Sequence, residues 1–179
     1  DKMNTELKEA IEALEKEKNI SSETLFEAIE NSLIAACRNN FERVDNVHVE
    51  IDRENVTELN GPGGKVKMLP FAGTAEGEIF HGVVVPCGVD TQVTNRCGVR
   101  NMSARYMLEG EDFRGQHCHI YVDNEGWFTN GEAPQPFQTV PTFLTDSRCL
   151  APYLHANRFR GEGHPGENGP TIKFFEVLE

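Results

Sequence analysis

The chain has 179 residues, of which 38% are hydrophobic and 26% charged, enough for one folded domain with an appendage. Its net charge of -12 argues against direct nucleic-acid binding and against docking on anionic lipid, since both need a basic surface. No apolar run approaches the roughly 20 residues of a membrane span. The charged N-terminus does not fit a signal peptide, so we expect a cytoplasmic protein.

The five cysteines are odd in number, widely spaced and without a C-x-x-C pair, which excludes the usual zinc-knuckle and thioredoxin-type motifs. We expect reduced thiols, several of them buried, at Cys37, Cys87, Cys97, Cys118 and Cys149.

Residues 1–45 contain neither Gly nor Pro, and apolar side chains recur there at helical spacing. One stripe runs from Leu7 to Leu14 and a second from Phe26 to Cys37, and Ser21 or Ser22 can cap the second helix. The pattern predicts a helical hairpin whose apolar faces must pack on the rest of the chain, on a second copy or on another protein.

Residues 46–179 contain all 16 Gly and all 9 Pro and are typical of β-structure. Val47, Val49 and Ile51 alternate with polar residues, and further short segments follow between Gly, Asn and Pro. One short helix fits at 146–154 with Asp146 as its cap. We therefore predict an α+β chain: an antiparallel β-barrel over 46–179, preceded by the helical hairpin over 1–45.

The segment MNTELKEAIEALEKEKNISSETLFEAIENSLIAAC, followed by NNFERVDNVHVEIDRE, resembles the start of the bacterial transcription factor NusA. The resemblance covers residues 3–54, about a third of the chain. In that family the N-terminal domain contacts RNA polymerase. The resemblance therefore implies RNA polymerase as a partner that residues 1–45 would contact.

The motifs FHG, VPCGVDTQ, SARYMLEG, IYVDNEG and VPTFLTDS resemble a family of small β-barrel proteins catalogued as domain of unknown function 3237. This resemblance runs over residues 46–179 and implies a complete barrel, but no settled activity. Cys87 departs from the family, which usually has Gly at this position.

The stretch VHVEIDRE fits both resemblances and is a natural join. A natural gene fusion and an engineered one both remain open. Asp1 and Lys2, before Met3, look like a tag remnant and favour some engineering.

Asp90 and Gln92 share one strand face within the GVDTQ motif. If that face lines the barrel, burial would raise the pKa of the Asp90 carboxyl toward the range of a general acid or base. The alternative is an Asp that caps a turn, with Gln92 bonded to the backbone.

Arg105 and Tyr106 lie on opposite faces of their strand, so only one can face the barrel interior. Arg105 could neutralise an anionic ligand or an enolate-like intermediate, and Tyr106 could donate a hydrogen bond. The alternative is a surface Arg paired with an acid, together with a core Tyr.

Four further residues are candidates for ligand contacts: Tyr121, Asn124, Trp127 and Phe143. Trp127 lies in a predicted long loop over 126–141, which could cover the barrel mouth as a lid or a small satellite core.

His117 and His119 would point to one face of a strand and could ligate Zn, Fe or Cu. The spacing to Glu125 does not fit the cupin pattern, so surface or hydrogen-bonded histidines are favoured. We predict no metal site and no cofactor.

Together these patterns favour a small-molecule-binding barrel with cofactor-independent acid–base catalysis of the isomerase, cyclase or lyase type. The reaction class is an analogy with other small barrels. Two alternatives are a transcription-related interaction protein that docks on RNA polymerase, and a structural homo-oligomer. In every case we expect self-association and no membrane partner.

Overall fold

A computed structural model of the chain describes residues 21, 23–25, 28, 46–129 and 133–177. The chain divides into two units, residues 1–41 and 42–179. The helical hairpin predicted over 1–45 lies almost wholly outside the described residues. Of its predicted caps, Ser21 accepts a hydrogen bond at its Oγ from the Thr24 backbone N–H at 3.2 Å. In the part of the chain described, no helix is long and apolar enough to cross a membrane.

The second unit is an antiparallel β-barrel, as predicted. Its described residues form ten strands and one short helix. In chain order they are β1 (Asn46–Ile51), β2 (Thr57–Gly61), β3 (Gly64–Glu76), β4 (Phe80–Val84), β5 (Val89–Asn95), β6 (Arg100–Asp112), β7 (His117–Phe128), β8 (Phe137–Thr145), α1 (Ala151–Leu154), β9 (Phe159–His164) and β10 (Thr171–Glu176).

The barrel closes because β1 pairs with β10 on one side and with β3 on the other. From β10 the order continues through β9, β8, β7 and β6. The gap between β6 and β3 is filled by β4 at one end and by β5 at the other. With β2 continuing the position of β1 beside β3, the ring has eight strand positions.

One end of the barrel is filled by side chains. Inward residues alternate with outward ones along β7 from Cys118 to Phe128. Near α1 the interior holds Phe143, Phe159 and Phe174, whose rings meet edge to face at 5.2 Å. Leu150 and the α1 residues Tyr153 and Leu154 are also buried. This end is closed by packing, so a ligand site must lie toward the opposite end.

The helix predicted over 146–154 is shorter than expected, and its predicted cap is wrong. The helix α1 covers only Ala151–Leu154 and has no side-chain cap. Asp146 instead accepts hydrogen bonds from the His119 backbone N–H at 2.7 Å and from Nδ1 of its ring at 3.0 Å. Residues 147–150 form a turn in which Ser147 Oγ accepts the Leu150 N–H.

Cys87 lies in the turn between β4 and β5 with a φ of 109°, a backbone region that favours glycine. Its side chain is exposed, so its removal loses no packing. We expect Cys87→Gly to raise the free energy of unfolding by about 1 kcal/mol, because the steric cost of Cβ disappears. Chemical denaturation measures this change.

Cys97→Gly is the matched control. Cys97 is also exposed but does not have a positive φ. Glycine there only adds freedom to the unfolded chain, so we expect a loss of about 0.5 kcal/mol. Equal losses in the two variants would show that the Cys87 backbone carries no strain.

Candidate functional site

The end of the barrel away from α1 contains a cavity of about 330 Å³, which is within the range of small-molecule sites. Most of its wall is apolar and is formed by alternate residues of four strands: Val49, Ile51, Leu69, Phe71, Met102 and Ile172. Ala133 and Gln135, before β8, and the connection between β9 and β10 also contribute to the wall.

Several polar side chains converge on this apolar cavity. Strand register places Asp90 of β5 opposite Ala104 of β6, and Ala104 opposite Asn124 of β7. All three residues line the cavity. Because Ala104 is small, the space between the carboxyl of Asp90 and the amide of Asn124 stays open to a ligand.

Asp90 is the half-buried acid of the cavity. Its Oδ2 accepts a hydrogen bond from Gln92 Nε2 at 2.7 Å, while Oδ1 is buried and has no well-formed hydrogen bond with the described residues. Burial raises the pKa of the Asp90 carboxyl. The Gln92 hydrogen bond, the Arg100 charge and the Ser103 backbone oppose this shift of the pKa only in part.

The raised pKa of Asp90 predicts an unusual pH dependence of stability. Well below the ordinary Asp pKa of 3.8, the Asp90 carboxyl is neutral in both the folded and the unfolded state, so it does not lower the free energy of unfolding. As pH rises, the unfolded state ionises first, so stability falls until the folded carboxyl has also ionised. We therefore expect Asp90→Asn to raise Tm more at neutral pH than at about pH 4, measured by calorimetry.

Glu50→Gln serves as the control, because Glu50 is an exposed acid on β1. It should change Tm little at either pH. A gain from Asp90→Asn that is the same at both pH values would contradict a raised pKa of Asp90.

Of the neighbouring pair on β6, Tyr106 faces the cavity and Arg105 does not. The Tyr106 ring is 5% exposed and meets the Phe71 ring edge to face at 5.3 Å. Arg105 lies on the outer face, where its Nε donates to Asp123 Oδ2 at 3.1 Å. The role considered for Arg105 inside the barrel therefore has no place in this geometry.

Of the four further residues predicted to contact a ligand, only Asn124 lines the cavity. Asn124 is buried and lines the cavity. Phe143 packs in the aromatic core with Phe159 and Phe174. Tyr121 and Trp127 point outward, and Trp127 is 65% exposed.

The predicted long loop over 126–141 is also corrected. β7 continues to Phe128 and β8 begins at Phe137, so the connection covers only residues 129–136. The Phe128 and Phe137 rings lie 6.0 Å apart, centroid to centroid. Trp127 therefore lies on the outer face of a strand and not in a lid.

His117 and His119 are hydrogen-bonded to carboxylates on the outer surface. His117 Nε2 lies 3.2 Å from Glu109 Oε1, and His119 Nδ1 lies 3.0 Å from Asp146 Oδ2. Among the described residues, no group of three or more His, Cys, Asp or Glu side chains could hold a metal ion.

Sequence reasoning missed Arg100, the first residue of β6, which lines the cavity. Its guanidinium lies over the Phe128 ring, with Cζ at 5.3 Å from the centroid. Arg100 is six residues before Tyr106 and so shares its strand face. The alternation could have identified Arg100 once Tyr106 was assigned to the interior.

This geometry defines the class: a closed antiparallel β-barrel with a largely apolar end cavity and a few buried polar groups. The family described as protein of unknown function (DUF3237) matches residues 40–177, and the chain belongs to this family. A UPF0311 protein of Clostridium acetobutylicum is 29% identical over 123 residues, covering 60% of this chain and 75% of that protein.

A solved structure supports the same assignment. The crystal structure of a protein with unknown function from Clostridium acetobutylicum superposes with a TM-score of 0.62 at 25% identity. The match covers 76% of this chain and 98% of that one.

The N-terminal part has a different relative. Residues 6–58 match the NusA N-terminal domain. The transcription termination/antitermination protein NusA of Halalkalibacterium halodurans is 49% identical over 53 residues. That match covers 30% of this chain but only 14% of NusA.

Proposed function

We propose that the barrel binds a small organic molecule in its end cavity and that Asp90 exchanges a proton with this molecule. The observation that carries the proposal is a half-buried carboxyl in an apolar cavity of about 330 Å³, with one buried oxygen that forms no well-formed hydrogen bond with the described residues. A polar atom buried without a partner is costly, so we expect water or a bound molecule to meet it.

The arrangement supports cofactor-independent acid–base chemistry. A carboxyl whose pKa is raised is a stronger base and can take a proton from carbon or oxygen when ionised. Gln92 fixes the carboxyl orientation through its hydrogen bond. The Tyr106 phenol is the nearby group suited to stabilise a developing oxyanion, and Asn124 Oδ1 can accept a ligand hydroxyl. Isomerisation, cyclisation and elimination all fit this set.

Binding can be tested by filling the cavity. Ala104→Trp places a bulky ring between Asp90 and Asn124. We expect wild-type protein to enhance the fluorescence of the neutral apolar dye N-phenylnaphthylamine and Ala104→Trp to lose this enhancement. Met107→Trp adds the same ring on the outer face of β6, where Met107 is 42% exposed, and should bind the dye normally.

A second filling variant, Met102→Trp, guards against a folding defect in Ala104→Trp. Each variant is compared by circular dichroism and Tm before titration. Dye binding that persists in both folded cavity variants would place the dye elsewhere and contradict the proposal.

Proton exchange is tested with the small-molecule fraction extracted from the cells that produce the protein. In heavy water, wild-type protein should add deuterium to one component, detected by mass spectrometry, and Asp90→Asn should not. Equal deuterium uptake with the two proteins would remove Asp90 from the chemistry and leave only binding.

A second function is favoured by the NusA match over residues 6–58. We propose that this segment docks on RNA polymerase, with the barrel carried as a ligand-binding module. A pull-down with bacterial core polymerase should retain the full chain and lose a variant lacking residues 1–45. Equal retention of both proteins, or of neither, would exclude this docking.

A further inference from the structure

The wall of the cavity contains cationic groups that the acid–base proposal does not use. Arg100 is half-buried, and its Nε is fully buried without a hydrogen-bond partner among the described residues. Arg53 also lines the cavity, and its Nη2 donates to the Glu167 carbonyl at 3.3 Å.

These two arginines differ in their ion pairing from three other arginines of the barrel. Arg105, Arg158 and Arg160 each lie beside a carboxylate of the same unit. Within the described part of the chain, neither Arg53 nor Arg100 forms an ion pair, although the protein has a net charge of -12. A cation without an acidic partner in an acid-rich protein is available to an external anion.

Asp90 is not the ion-pair partner of Arg100. Its carboxyl is hydrogen-bonded to Gln92, and burial raises its pKa in spite of the Arg100 charge. In strand register Asp90 lies opposite Ala104, whereas Arg100 lies opposite Thr94 and Phe128. Positions 100 and 104 are four residues apart on β6, so their Cα atoms lie about 13 Å apart along the strand. A ligand can therefore contact both groups with different parts of its structure.

Resting on the proposed function, we propose that the ligand is an organic anion whose acidic group, a carboxylate or a close analogue, pairs with Arg100. Its apolar body fills the space between Phe71, Met102 and Ile172. Its opposite end reaches Asp90 and Asn124. Arg100 is a specificity-determining residue because its planar guanidinium can hold a carboxylate through two parallel hydrogen bonds.

Two dyes with the same ring system distinguish the effect of ligand charge on binding from the effect of ligand shape. Anilinonaphthalene sulfonate carries an acid group, and N-phenylnaphthylamine lacks it. We expect Arg100→Met to weaken the binding of anilinonaphthalene sulfonate by about tenfold or more, while N-phenylnaphthylamine binding changes by less than about threefold. Arg100→Lys should recover part of the loss, because it restores the charge without the planar fork.

Arg105→Met is the matched control, since it removes a guanidinium from the outer face of the same strand. It should leave both dye affinities unchanged. If Arg100→Met weakens both dyes equally, Arg100 acts through packing and the anion proposal is wrong. It is also wrong if neither dye is affected, although dye binding as such would still support the proposed function. Failure of wild-type protein to bind either dye would overturn both.

Discussion

We expect Asp112→Ala to lower the free energy of unfolding by about 3–5 kcal/mol and Tm by roughly 10 °C. Asp112 is 2% exposed. Its Oδ1 accepts the backbone N–H groups of Arg114 and Gln116 at 2.9 and 3.1 Å, and its Oδ2 accepts the Ser147 hydroxyl at 2.8 Å. One side chain thus joins the turn between β6 and β7 to the segment before α1. Its loss leaves the buried Ser147 hydroxyl and two part-buried backbone N–H groups without this acceptor.

Glu111→Ala tests the specificity of this effect. Glu111 is the preceding residue on β6, but its side chain lies on the outer face and is 54% exposed. The substitution should cost less than about 0.5 kcal/mol in urea denaturation. If both alanine variants lost similar stability, the Asp112 network would not be what holds the closed end of the barrel.

The second large effect is expected at Gly110. Gly110 of β6 lies directly opposite Gly82 of β4. A Cβ on Gly110 would overlap the His81 carbonyl oxygen and approach the Gly82 Cα to 2.6 Å. Both obstacles are backbone atoms, which cannot rotate away as a side chain can. Gly110→Ala should therefore push the two strands apart and cost about 2–3 kcal/mol in urea denaturation.

Gly61→Ala is the corresponding control. A Cβ on Gly61 of β2 would meet no atom within 4 Å. Alanine reduces the freedom of the unfolded chain, so the change should be neutral or stabilising by up to about 0.5 kcal/mol. A neutral Gly110→Ala would show that β4 and β6 can separate without cost.

The barrel could be predicted from sequence because several strands alternate between buried and exposed positions. In β7, buried positions follow period two from Cys118 to Phe128. The end of β7 could not be predicted, because Gly126 resembles a loop start. Pairing with β6 continues through it to Phe128, opposite Arg100. Tertiary pairing thus extended a strand that local sequence would end.

The same alternation limits which candidate residues can share the cavity. Asp90, Gln92 and Tyr106 line it, because each occupies an inward position. The choice between Arg105 and Tyr106 required the absolute register, since one residue moves a side chain to the other face. The role of Asp146 could not be predicted from its neighbours in sequence. They suggested a helix cap, but in the folded barrel Asp146 accepts a hydrogen bond from His119 of β7.

Only a few polar side chains line the apolar cavity, and several of them have buried polar atoms. Among the residues that the structure describes, one buried oxygen each of Asp90 and Asn124 and the buried Nε of Arg100 form no well-formed hydrogen bond. Each of these atoms is expensive to bury unless a ligand meets it. All three face one space, so a single bound molecule can satisfy them together. This convergence distinguishes the end cavity from an ordinary packing defect.

Native mass spectrometry of the purified full chain tests the central claim most directly. Wild-type protein and the Ala104→Trp variant are each sprayed as isolated and after incubation with N-phenylnaphthylamine. We expect a one-to-one noncovalent complex with wild-type protein, either with a co-purified molecule or with the dye, and no such complex with Ala104→Trp. A wild-type protein that binds neither, or a folded Ala104→Trp variant that binds equally well, would contradict ligand binding in the barrel.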